Sequence, residues 1–200
     1  IGSSVGRQTI AVISGMDEPL GYAVGNALEV KEAVHALSGA GPDDLRELSL
    51  VLGAHMLVAG GKATNYASGR QQLEQLIASG AALAKFKQFV TAQGGRAELL
   101  DDLASLPQAR RIVEVRCKQG GTVAAIEAEA IGIAAMKLGA GRETKDSPID
   151  MGAGIVLRKK VGDRADVNEV IAELHLGAAF EGRAAEAERM VLDAFRFSRE

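Results

Sequence analysis

The segment that most constrains this chain is a short apolar run followed by a glycine- and proline-marked turn and then a helical pattern. Thr9-Ile10-Ala11-Val12-Ile13 is continuous in apolar character. Such a run, without alternation, reads as a strand covered on both faces, as in a parallel sheet flanked by helices. Met16-Asp17-Glu18-Pro19-Leu20-Gly21 breaks it, and Gly25 follows closely. A turn of this composition can aim backbone groups inward. From about Val24 to Leu37, Ala27, Val30, Val34 and Leu37 recur at helical spacing until Gly39 stops them. Strand, turn and helix in this order predict an α/β unit.

The following segments extend the helical part. Pro42-Asp43-Asp44 starts a second helix, with proline near the first turn and acids at the positive end of the helix dipole. Leu45, Leu48, Leu52 and Met56 are expected to line its inner face. Gly60-Gly61 ends it. Helices are predicted over 68–78 and 81–92, each closed by glycine, with a short last one over 98–106 ending at Pro107. Near Gln108 the texture changes. Strands are expected over 112–117, 122–126, 155–157 and 170–174, with helices over 127–138 and 181–197. The reading is therefore two regions. Residues 1–107 form an α/β portion, mostly helices around a buried parallel strand. Residues 108–200 form an α+β subdomain with a sandwich-like β substructure.

Composition removes several function classes. Two hundred residues with 47% hydrophobic content can bury a core. A net charge of −3 with no basic stripe argues against a nucleic-acid module. No apolar run approaches the roughly 20 residues of a membrane span, and no signal peptide is visible. The single cysteine, Cys117, excludes an internal disulfide framework and suits the reducing cytoplasm. It sits in an alternating run, where it reads as a small structural hydrophobe. The chain opens on Ile1-Gly2-Ser3-Ser4 without a methionine, the expected look of a fragment.

The candidate chemistry is sparse. His35, His55 and His175 have no metal-pair spacing and read as helix-surface or core-edge residues. Gly139-Ala140-Gly141 follows a helix, and Gly152-Ala153-Gly154 does not lie between a strand and a helix. Neither has the context of a phosphate loop, and Gly139 reads as a helix stop. Ala135-Met136-Lys137-Leu138 matches the core of a biotin-attachment site, and 160–171 has the turn-and-strand look of biotinyl and lipoyl domains. Lys137, however, falls in a helical pattern, whereas an attachment lysine needs a hairpin tip. Asp17, Glu18, Glu29 and Glu32 allow two readings: a solvated face, or one carboxylate joining backbone carbonyls in an oxygen cage for a hard cation.

Several stretches together resemble one family. Gly6 to Ser14 leading into Met16-Asp17-Glu18-Pro19-Leu20-Gly21, then Val24-Gly25-Asn26-Ala27-Leu28-Glu29-Val30, are similar to pyrimidine-nucleoside phosphorylases, which include thymidine phosphorylase. So are Gly39-Ala40-Gly41-Pro42-Asp43-Asp44-Leu45, Ala92-Gln93-Gly94-Gly95, Leu138-Gly139-Ala140-Gly141-Arg142 and Lys160-Val161-Gly162-Asp163. Arg96 departs from the aspartate common there. The resemblance covers the family's C-terminal half. It implies a pentosyltransferase in which phosphate, the co-substrate, cleaves the N-glycosidic bond of uridine, thymidine or deoxyuridine to free base and pentose-1-phosphate. It implies no organic cofactor, a homodimer when complete, and a structural potassium or calcium ion. The carbonyls of Leu20 and Ala23 and the carboxylate of Glu32 match ligands of that ion. No catalytic or substrate-binding residue of the family falls within this chain, so the chain alone is expected to be inactive. The alternatives are a non-enzymatic remnant that binds a partner, and a carrier modified on Lys137.

Overall fold

The computed structural model describes residues 2–198, which divide into two compact units. One comprises 2–15 and 33–98; the other joins 16–32 to 99–198.

The first unit is helical. The end of helix α1 (Asn26–Leu37) is followed by α2 (Asp43–Ala59), α3 (Tyr66–Ala78) and α4 (Ala81–Ala92). Pro42 stands at the N-cap of α2, ahead of Asp43 and Asp44 in its first turn, as the spacing predicts. Asn65 caps α3 by a reciprocal capping box: its side chain accepts from Ser68 N at 2.9 Å, and Ser68 Oγ accepts from Asn65 N at 3.3 Å. That satisfies two amides which a helix start otherwise leaves without partners.

The inner face of α2 differs from the expectation. Leu52 and Met56 are exposed, Met56 at 73%, and the buried positions are Leu50 and Ala54. Small residues decide the rotation. A Cβ on Gly69 of α3 would lie 3.0 Å from the Ala54 carbonyl oxygen, and one on Gly53 would lie 2.7 Å from Leu73 Cδ1. The two helices approach through this glycine-alanine seam, with Leu50 inside and Leu52 and Met56 turned outward.

The buried parallel strand expected over 9–13 is not formed. These residues have no regular structure, and Ile13 is 98% exposed. A strand requires a neighbour to accept its backbone hydrogen bonds, and no strand among the described residues lies alongside. Every strand pairing found is antiparallel. The expected last helix over 98–106 is two 3-10 turns, Ala97–Leu100 and Leu103–Ser105.

The second unit carries the sheets. β1 (Ala23–Val24), β4 (Gly154–Leu157), β6 (Val170–Leu176) and β2 (Arg111–Arg116) form one sheet in the order β1-β4-β6-β2. β5 (Arg164–Ala165), β3 (Gly121–Ile126) and β7 (Phe195–Ser198) form another, in the order β5-β3-β7. Helices α5 (Ala128–Ala135) and α6 (Ala184–Ala194) pack with them. Alternation along β6 sends Leu174 and Leu176 into the core and leaves Glu173 and His175 only partly covered. The core joins Val115, Val123, Ile126, Ile131, Leu138, Ile155, Leu157, Ile171, Leu174 and Val191 in one cluster. The C-terminal segment expected as helix over 181–197 is a 3-10 turn (Ala178–Arg183), then α6, then strand β7.

Candidate functional site

Residues 16–32, the glycine-marked turn and the start of α1, lie in the second unit, at the edge of the four-stranded sheet. β1 is that edge, and its register pairs Ala23 with Val156 of β4. Leu157 N donates to the Tyr22 carbonyl at 2.8 Å, whereas Ala23 N donates to Glu32 Oε1 at 3.1 Å. Antiparallel strands alternate between residues that bond across the pair and residues whose amide and carbonyl point the other way. Ala23 is of the second kind. Its carbonyl therefore faces the side on which Glu32 sits, away from β4.

Glu32 gathers the loop onto the helix. Its Oε1 also accepts from Tyr22 N at 2.9 Å. Gly21 adopts a left-handed φ of +68°, and a Cβ there would stand 2.2 Å from Glu32 Oε2. Only glycine lets the chain turn this close to the carboxylate. Leu20, Ala23 and Glu32, the three residues that the family resemblance marks, thus share one loop-helix corner. The loop takes part through backbone groups and Glu32 alone through a side chain, so a search for His, Cys, Asp and Glu spacing cannot find the corner. Among the described residues no cluster of three or more such side chains could hold a metal.

One residue of this corner was not anticipated. Lys160, in the turn after β4, is 9% exposed, and it alone among the described residues is a buried charged side chain. Its Nζ donates to the carbonyls of Pro19 and Gly21, the latter at 2.9 Å, and lies 3.6 Å from Glu18 Oε2. It also stands 5.9 Å from the Tyr22 ring centroid. Glu18 returns the contact by accepting from Val161 N at 2.9 Å. The sequence offers only a weak signal for this: Lys160 precedes a Gly162-Asp163 turn, and Asp163 Oδ2 accepts from its backbone amide at 2.8 Å.

Beside this corner, a cleft of about 160 Å³ is lined by Val24, Gly25, Asn26 and Glu29 on one side. Gly132, Ala135, Met136, Ala140 and Gly141 line the other. After α5 the backbone widens into a π turn, Met136–Ala140, in which Gly139 has a φ of +107°. Gly139 is thus the helix stop that its place in the sequence predicts. Asn26 Nδ2 donates to Ala140 O at 2.8 Å and ties the turn to the start of α1. Lys137 lies in this π turn, 3.3 Å from Glu186 and 3.7 Å from Glu143, rather than on a hairpin tip. That placement does not suit a carrier lysine.

The histidines stay apart. His35 is exposed on α1, and His55 packs its ring 5.1 Å from that of Tyr66. His175 is half-buried on β6, with Nε2 3.8 Å from Glu173 Oε2 and without a hydrogen-bond partner. Burial holds its pKa below the ordinary histidine value. Cys117 is a buried free thiol.

Comparison with known proteins places the chain. Residues 2–83 match the glycosyl transferase family a/b domain, and 122–196 match the pyrimidine nucleoside phosphorylase C-terminal domain. It is 52% identical over 175 residues to pyrimidine-nucleoside phosphorylase of Geobacillus stearothermophilus and 51% to that of Bacillus subtilis. The Staphylococcus epidermidis protein of the same name is 49% identical over the same length. Each alignment covers 88% of this chain and 40% of the relative. The chain is thus similar, over most of its own length, to pyrimidine-nucleoside phosphorylases, and it spans about 40% of the length of the curated relatives it matches.

Proposed function

We propose that this chain serves as the C-terminal portion of a pyrimidine-nucleoside phosphorylase. The observation that carries this reading is the identity of about half of all positions over 175 residues to enzymes of that name. The two domain matches, in the same order along the chain, support it. In the reaction, a phosphate oxygen bonds to C1′ of the nucleoside as the C1′–N bond breaks. The bonding pair leaves with the pyrimidine, which takes up a proton. Catalysis of this type rests on holding phosphate against C1′ and on stabilising the departing base. The resemblance assigns both tasks to residues that match nothing in this chain. Residues 1–200 alone therefore have no turnover, and the complete protein acts as a cytoplasmic homodimer.

We read residues 1–107 as part of the α/β domain and 108–200 as its C-terminal subdomain. Leu20, Ala23 and Glu32 contribute to a structural cation site. Three observations support that fit: the Gly21 cradle against Glu32, the outward carbonyl of Ala23, and an oxygen-only donor set suited to a hard cation such as potassium or calcium. The ion would neutralise charge and brace the loop; Glu32 holds the loop's amides in either case.

The test is a chimera in which this chain replaces the matching 175 residues of the Geobacillus stearothermophilus relative. It should release uracil from uridine only with phosphate present, with pentose-1-phosphate as co-product. The 200-residue chain alone should release none. A folded chimera without activity would remove the reading. Turnover by the chain alone would remove the claim that it lacks the reacting groups.

A further inference from the structure

We infer that Lys160 is a positioning residue for the Pro19–Gly21 loop: a tethered cation by which the C-terminal subdomain shapes the corner that presents Leu20, Ala23 and Glu32. The inference deepens the cation-site reading and rests on it for its functional meaning. The geometric part stands on its own contacts. A buried ammonium is costly unless its donors are matched by oxygen acceptors. Lys160 meets that requirement with the Pro19 and Gly21 carbonyls and the nearby Glu18 carboxylate. The two carbonyls it takes flank Leu20.

The loop is therefore gripped from two directions. Glu32 accepts the amides of Tyr22 and Ala23, and Lys160 donates to the carbonyls of Pro19 and Gly21. The first grip comes from the helix that follows the loop, the second from 139 to 141 residues further along the chain. Lys160 falls within the match to the phosphorylase C-terminal domain, and the loop falls within the match to the a/b domain. The turn that carries Lys160 is itself pinned, by Asp163 Oδ2 on Lys160 N and by Glu18 Oε2 on Val161 N. The contacts thus run both ways: loop oxygens accept from the lysine, and a loop carboxylate accepts from the turn. A lysine held this way fixes the path of the loop in the way a bound ion would, and it cannot dissociate.

Hydrogen exchange on the 200-residue chain tests this directly. In Lys160→Met, the amides of Tyr22 and Ala23 should exchange about tenfold faster or more, while those of Ile171 and Leu174 keep their wild-type rates. Lys160→Arg should fall between, since it keeps the charge but changes the donor geometry. Unchanged exchange at Tyr22 and Ala23 overturns the inference. Equal acceleration at Tyr22 and Leu174 also overturns it, because Lys160 would then support only the fold at large. A second arm isolates the cation reading. Potassium chloride should raise the melting temperature of wild type relative to choline chloride, and Glu32→Gln should abolish the difference. No potassium effect on wild type, together with local acceleration in Lys160→Met, would refute the cation site and leave the lysine grip in place.

Discussion

At the scale of single residues, Gly21 and His175 carry opposite kinds of constraint. Gly21→Ala places a methyl group at a left-handed φ and against the Glu32 carboxylate. It should cost about 1–3 kcal/mol, read as a lowered urea midpoint. His175 is constrained by burial, which outweighs the attraction of Glu173, while Lys31 and Arg158 add repulsion. Its folded pKa lies below the ordinary value of 6.5, so the unfolded chain binds its proton first as pH falls. The sign follows: stability is full above about pH 7 and declines as acid protonates the unfolded imidazole. His175→Gln should flatten the change in melting temperature between about pH 7 and pH 5. Lack of any flattening would show that other groups set the acid response. The residue scale is also where the sequence was least complete. Leu20, Ala23 and Glu32 could be named because a family pattern marks them. Lys160 could not, since its partners are main-chain oxygens far away in sequence.

At the scale of elements, helices were the most legible. Proline, paired acids and glycine stops marked α2 to α4 because helix ends need specific backbone partners, which short-range chemistry supplies. The α3 cap offers a clean test: Asn65→Ala should cost about 1 kcal/mol in chemical denaturation, with Ser68→Ala acting on the same capping box. A null effect from both would mean that packing alone holds the start of α3. The face that α2 presents was less legible, since a count of leucines misses a seam of Gly53, Ala54 and Gly69. Short strands leave no trace in the sequence for a different reason. β1 and β5 have two residues each, too few for any alternation to register. β7 was hidden in an apparently continuous amphipathic helix, and only its pairing with β3 turns Phe195–Ser198 into strand. The run over 9–13 erred the other way: its apolar pattern is that of a strand, but a pattern supplies no partner.

At the scale of the whole molecule, the hydrophobic core cluster belongs to the second unit, and the helical unit holds together through helix seams. Leu174→Ala should therefore destabilise the sheet unit by about 3 kcal/mol, read as a lowered urea midpoint. An unchanged midpoint would show that Leu174 does not anchor this core. The path of the chain has a further consequence. Strand β1 and the Glu18 carboxylate reach the sheet unit from the early part of the chain, before the helices, whereas the other strands follow them. Gene shuffling moves contiguous stretches. A recombination event that copied only the later stretch would leave behind the sheet's rim and the acid that clasps the lysine turn. Descent of this architecture should thus favour inheritance of both ends together, with the helices between them as the segment most open to exchange.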